Sequence, residues 1–324
     1  NMQVAVNAWT ELGASFATIL QDKGPHFVKG GISLKYLAGV ANGHISINNL
    51  NGSLTEDGTG REYLYNTTGR ITTGFGGVDV SDFEPVNYTK RRSTGIGADI
   101  GFVYEYRPEQ LSVGSATNRD RNKYKWKAGF AILDIGRIKY DKDVVRSGSY
   151  EIHITGNERF YLSELDTVDI DGYNRFFTSR PQYFTAAVSN TKSTYNVSLP
   201  TTIQLDVDYH LHQGFYAQLA AQLPISDKSV FNSRYYSSIT LTPRYEGKAI
   251  GVYLPVNYNS LTHFNAGLSL RAGPFFIGSG SILTAFINNA KQADVHAGFH
   301  IAGLHKKSKV KKEKKEKKEE IRTL

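Results

Sequence analysis

Residues 93–107 read STGIGADIGFVYEYR, and the fold turns on which side of this stretch meets water. Ile96, Ala98, Ile100, Phe102, Tyr104 and Tyr106 fall on one side of a strand with alternating side chains. Gly95, Gly97, Asp99, Gly101, Glu105 and Arg107 fall on the other. The rest of the chain repeats the pattern. In residues 200–225, Ile203, Leu205, Val207, Tyr209 and Leu211 alternate with Gln204, Asp206, Asp208, His210 and His212. After the turn signal Gln213-Gly214, Phe215, Ala217, Leu219, Ala221 and Leu223 alternate with polar and small residues, which reads as a hairpin of two long strands.

Three further segments carry the signature: RYYSSITLTPRYEGK, HFNAGLSLRAG and ADVHAGFHIAG. Near the start, KGGISLKYLAG places Ile32, Leu34 and Tyr36 on one face, and GHISINNLNG reads as its return strand. The alternation of YKWKAGFAILDIGRIKY slips after Ile132, the sign of a bulge near Asp134. About twelve strands are expected in this way. Residues 54–92 and 141–200 do not fit, apart from a short helix expected around 157–166, and read as long functional loops, plugs or mobile segments.

Composition narrows the class. The chain has 324 residues, with 31 Gly and 20 Tyr against one Met and no Cys, a balance that favours β structure with tight turns. Without cysteine there are no disulfides, thiolate metal sites or cysteine nucleophiles. The net charge of +8 is uneven: residues 306–324 hold nine Lys and one Arg against four Glu, while the remainder carries 28 basic and 26 acidic residues. Two domains follow, a β body over 1–304 and a Lys/Glu-rich periplasmic tail over 305–324. The tail has no aromatic residue on which a base could stack, which argues against nucleic acid; it reads as a solvated flexible or helical extension, with anionic lipid, lipopolysaccharide or acidic cell-wall groups as the alternative contacts. No run of eighteen apolar residues makes a transmembrane helix, and the first residues, NMQVAVNAWTELG, do not read as a secretory leader.

A soluble sandwich also alternates. Three features favour a membrane barrel instead: polar faces rich in glycine and small residues, strands of about ten residues, and aromatic pairs near strand ends such as Tyr104/Tyr106, Tyr124/Trp126 and Tyr235/Tyr236. The expected fold is therefore all-β, an antiparallel transmembrane β-barrel of roughly 12 to 14 strands with long loops. Its wet side is inside.

The runs SLPTTIQLDVDYHLHQGFYAQLAAQLPI and ITLTPRYEGKAIGVYLPVNYNSLTHFNAGLSLRAGPFFIGSGSIL resemble an uncharacterised family of Bacteroidota outer-membrane β-barrel proteins, a domain of unknown function. IGADIGFVYEYRP and HFVKGGISLKYLAG fit the same family, and TPRYE and RAGPFFIGS are the most specific segments. The resemblance implies an outer-membrane location in a Gram-negative bacterium and a missing N-terminal part. It implies no substrate or catalytic residue.

The candidate lumen-lining residues are Asp99, Glu105, Arg107, Asp206, Asp208, His210, Arg244, Arg271, His296 and His300. Asp206, Asp208, His210 and His212 share one face, with i and i+2 about 6.5–7 Å apart, close enough for a metal or an acid–base pair. A hydrated lumen strand is the plainer reading. His296 and His300, about 13 Å apart, are too far for one metal ion. TVDIDGYNRFFT at 167–178 has a calcium-loop outline but lacks carboxylates at its first and last positions, Thr167 and Thr178. No phosphate loop and no G-x-S-x-G element occurs. No cofactor and no enzymatic activity are expected. The function expected is a channel or transporter for a small hydrophilic or amphiphilic solute. A non-conducting scaffold that docks envelope proteins through its loops and basic tail is the alternative, and an outer-membrane hydrolase ranks third. Outer-membrane lipid is the expected partner.

Overall fold

The computed structural model describes residues 1–77, 93–108, 124–169, 172–187, 193–226, 232–247, 249–287 and 291–300. Among them eighteen strands join one antiparallel sheet. They are β1 (Met2–Lys23), β2 (His26–Glu56), β3 (Glu62–Gly77), β4 (Ser93–Tyr106), β5 (Trp126–Asp141), β6 (Gly148–Ile154), β7 (Phe160–Tyr161), β8 (Phe184–Ala186) and β9 (Thr194–Ser198). The second half adds β10 (Thr202–His212), β11 (Phe215–Pro224), β12 (Ser238–Glu246), β13 (Ile250–Tyr253), β14 (Val256–Asn259), β15 (His263–Ala266), β16 (Leu268–Ala272), β17 (Phe275–Ser279) and β18 (His296–Phe299).

Several of these strands are pieces of one longer line. β3 ends with Gly77 opposite Ala41 of β2, and β4 begins with Ser93 opposite Gly39, so both lie end to end along the same side of β2. β5 continues into β6 against β4 and β3. β9 and β10 share one side of β5, while β13/β14 and β16/β15 are two lines broken at Leu254-Pro255 and Gly267. Proline lacks an amide donor and interrupts the ladder locally, which raises the count above the 12 to 14 expected from the sequence. Among the described residues no ladder joins β1 to β18, so the sheet is not closed and the barrel read from the sequence is not formed by these ladders alone.

Three local expectations change. KGGISLKYLAG and GHISINNLNG are not a hairpin but one strand, β2, because Val40 is a bulge rather than a turn: Ala8 pairs with Ala41 and Trp9 with Gly39. The return strand is β1. Residues 54–77 are a hairpin, since Tyr63, Leu64 and Ile71 supply the β-favouring side chains that pair with β2 on one side and with β7 and β6 on the other. The helix expected at 157–166 is instead β7 and a single 3-10 turn at Leu162–Glu164, because Phe160 and Tyr161 pair with Leu64 and Tyr63. The bulge near Asp134 is present: Ala98 pairs with Ile135 and Ile100 with Ile132, and Asp134 has φ 57°.

The short connections gather at one end. Lys23 pairs with His26, Gly214 has φ 90°, and Gly273 has φ 57°, conformations that favour glycine. The link from Tyr106 to Trp126 also starts and ends here, and the opposite end carries an extension. There β6, β7, β8 and helix α1 (Tyr173–Thr178) enclose Tyr150, Ile152, Ile154, Phe160, Phe176, Phe177 and Phe184 in an ordinary apolar core. Phe184 sits edge-on to Phe160 at 5.2 Å and to Phe177 at 4.8 Å. Below this extension the polarity inverts. Phe102, Phe130, Leu205, Ala221, Ile239, Tyr258 and Phe264 pair in register across seven lines, and the large ones are 40–57% exposed. Asp208, Asn259 and Asn265 on the opposite face are at most 2% exposed. The molecule thus hides charges and amides while leaving a band of apolar side chains bare.

Candidate functional site

The polar face is where chemistry concentrates. On β2, Lys35 follows the alternation Ser33, Lys35, Leu37, so it points to the side opposite Leu34 and Tyr36. Its ammonium donates to Asp134 Oδ1 at 2.7 Å and lies 2.9 Å from Asp99 Oδ1 and 3.8 Å from Glu11 Oε1. The bulge at Asp134 makes this possible: it turns that carboxylate toward Lys35 and lets its own amide donate to Asp99 Oδ1 at 2.8 Å. One cation therefore holds carboxylates from three strands.

A second network spans β10 to β12. Arg244 donates through both terminal nitrogens to Asp208, at 3.0 and 2.6 Å, and through Nε to Glu246 at 2.8 Å. The Tyr124 hydroxyl donates to the same Asp208 carboxylate at 2.8 Å, and the guanidinium lies 4.7 Å over the Tyr216 ring. His210 stacks on Tyr216 at 4.7 Å. The Arg244 side chain is 9% exposed and Asp208 2%, so this fork-to-carboxylate pair is shielded and strong.

A third pair lies at the tight-turn end, where Arg107 binds Glu105 at 2.6 Å and covers the Phe27 ring at 3.4 Å. Around it Tyr104 and Trp126 pack at 4.9 Å, Tyr104 meets His26 Nδ1 at 2.6 Å, and Phe215 meets Tyr245 at 5.0 Å. Aromatic side chains thus gather at this end, but Tyr124, expected among them, instead turns to Asp208 on the polar face.

Part of the polar face is filled. Leu37, Ile138 and Val197 align across β2, β5 and β9 with Gly95 between them on β4, and with Tyr140 and Leu199 they form a buried cluster flanked by Trp9 and Tyr195. The connection before β12 reaches this cluster: Ser198 N–H donates to Asn232 at 2.8 Å, and Asn7 donates to Ser233 at 2.7 Å. In the extension, His44 lies over Gly74, where any side chain would collide with the ring. Burial first, and the nearby Lys142 charge second, push His44 down to about 4.

Of the residues expected at the site, Asp99, Glu105, Arg107, Asp208 and Arg244 belong to these networks. Asp206 lies over Gly129 on the same face, and Arg271 donates to the Gly247 and Gly273 carbonyls at 2.9 and 3.3 Å. His296 meets Ser269 Oγ at 3.2 Å, and exposed His300 follows β18, its amide donating to Pro274 at 2.7 Å. The same-face run Asp206, Asp208, His210, His212 is divided among separate partners, and no three metal-ligating side chains converge among the described residues. Asp171 of the calcium-like stretch and the tail beyond His300 lie outside the described residues. Lys35, Asp134 and Tyr124 were not expected at the site; alternation alone assigns Lys35 to the polar face, but which strand lies beside β2 is not written locally.

A family model covers residues 1–280, most of the β body just described. The chain belongs to the Family of unknown function (DUF5723). Its match spans the Lys35 and Arg244 networks together. No curated protein and no solved structure matches the chain.

Proposed function

We propose that this chain is the wall of an outer-membrane β-barrel that passes a small hydrophilic or amphiphilic solute. One observation carries the membrane part of the reading: the inverted polarity of the lower sheet. Leaving a Leu, Ile or Phe in water forfeits about 1.5–3 kcal/mol each, and the bare band extends across every line from β4 to β15. Lipid removes that cost. The band covers about nine residues per line, Ile203–Leu211 on β10 and Phe215–Leu223 on β11, the length that a tilted strand needs to cross a bilayer. Aromatic side chains at the tight-turn end, Tyr104 with Trp126 and Phe215 with Tyr245, match the interfacial aromatics of outer-membrane barrels. In lipid the edges of β1 and β18 require hydrogen-bonding partners, so further antiparallel strands must complete the wall.

Solute passage is assigned to the sector from β10 to β18, where Gln204, Gln222, Ser238, Thr240 and Thr242 line the polar face. A specific observation favours the second reading, a non-conducting scaffold: the Leu37/Ile138/Tyr140 cluster and the neutralised Lys35 group occupy the other sector. With the turns on the periplasmic side, β18 leads the Lys-rich tail into the periplasm, toward anionic lipid or cell-wall groups. Planar-bilayer recording of the full-length protein decides between the two. Reproducible current steps whose ion selectivity shifts in Arg244→Gln support passage, and silence from a folded, inserted protein overturns it in favour of the scaffold.

A further inference from the structure

Three groups that the networks above leave unused stand in one line near β18. Reading across the sheet, Tyr253, Ser269, Gly278 and His296 are in register on the polar face. Gly278 has no side chain, so Ser269 Oγ and His296 Nε2 meet above it at 3.2 Å; a Cβ there would collide with the serine and lie 2.7 Å from the imidazole. On the far side of the ring, His296 Nδ1 is 3.7 Å from Asp294 Oδ2. Asp294 is itself fixed, accepting from the Gly280 amide at 2.8 Å and the Ser281 hydroxyl at 2.7 Å. Nucleophile, base and orienting carboxylate thus stand in the order that acyl transfer requires. The ring remains about half exposed, so a substrate can reach it.

Two donors lie farther along the same face, toward the Gly273 turn. Tyr253 is directly opposite Ser269, and Arg271 is two residues along the same face. Both lean over bare Gly251, where a Cβ would be 3.0 Å from the Tyr253 hydroxyl and 3.3 Å from Arg271 Nε. Phe276, its ring 6.4 Å from His296, adds an apolar wall.

We propose that Ser269, His296 and Asp294 hydrolyse short-chain carboxylic esters, an activity separate from solute passage. With Nδ1–H facing Asp294, Nε2 takes the Ser269 proton while Oγ bonds to the ester carbonyl carbon and the carbonyl pair moves onto oxygen, toward Tyr253 O–H and Arg271 Nε–H. Collapse breaks the bond to the alcohol, which leaves with the proton from Nε2. Water then gives a proton to Nε2 and attacks the acyl carbon. The acyl–Oγ bond breaks, Ser269 recovers the proton, and the carboxylic acid departs.

The test uses the full-length protein with p-nitrophenyl acetate and butyrate, and a fluorophosphonate probe followed by peptide mass spectrometry. The expected results are probe adduct on Ser269 and a loss of turnover of about 100-fold or more in Ser269→Ala and His296→Gln. Asp294 is a positioning residue. Asp294→Asn lowers kcat with KM unchanged and Asp294→Glu restores part of it; a merely structural role leaves kcat of the folded variant at the parent's value. Gly278→Val, which fills the space between serine and imidazole, abolishes labelling. Turnover in folded Ser269→Ala equal to that of the parent, or labelling confined to other residues, overturns the proposal.

Discussion

Arg244 and Asp208 show what a charge costs when it faces away from water. Each is shielded, so removing one strands the other: Arg244→Met should destabilise the protein by about 3–5 kcal/mol, whereas the double variant with Asp208→Leu recovers much of that loss. Urea-driven unfolding in detergent, followed by heat-shifted mobility on a gel, measures both. His44 gives a pH-dependent counterpart in the extension. Its folded value of about 4 lies below the 6.5 of an unfolded histidine, so the unfolded chain binds the extra proton between those limits. Stability is therefore full above pH 6.5 and falls as pH drops toward 4, by on the order of 2–3 kcal/mol. Hydrogen exchange of β2 and β3 amides at pH 7.5 and 4.5 should show this loss in the parent protein and not in His44→Asn. Neither residue's environment was legible from its immediate neighbours in sequence: the strand face of Asp208 was, but its partner lies 36 positions away.

At the scale of elements, the strands of the lower sheet and those of the extension solve one problem in two ways. Both carry an apolar face; the extension covers its own with α1, β7 and β8, and the lower strands leave theirs bare. Truncating the cover should act as a core mutation, with Phe176→Ala or Phe177→Ala costing about 3–5 kcal/mol and detaching the extension without unfolding β10 to β12, as limited proteolysis would detect. On the bare face, Leu205→Arg and Leu219→Arg should each cost about 2–4 kcal/mol in a bilayer, while Gln204→Arg is tolerated. Alternation was readable for β4, β10, β11 and β12 because every second residue there changes class. It misled where a bulge imitated a turn, at Val40, and where polar, Thr-rich strands imitated a loop, at 62–77. A one-residue bulge exchanges the faces without leaving a turn signal.

For the molecule as a whole, the β class and the inverted polarity follow from the sequence, while line count, closure and the polar networks depend on ladders between strands far apart in the chain. The central claim is that the bare band faces lipid. Because the chain contains no cysteine, single cysteines can be placed at will and spin-labelled at each position from Ile203 to Val207 and from Leu219 to Leu223 in liposomes. Collision with oxygen dissolved in lipid and with an aqueous nickel complex then reports each side chain's surroundings. The expected result is a period of two, oxygen-accessible at Ile203, Leu205, Val207, Leu219, Ala221 and Leu223 and nickel-accessible at Gln204 and Gln222. Equal access of the nickel complex to both faces would contradict it and make the sheet a water-soluble one.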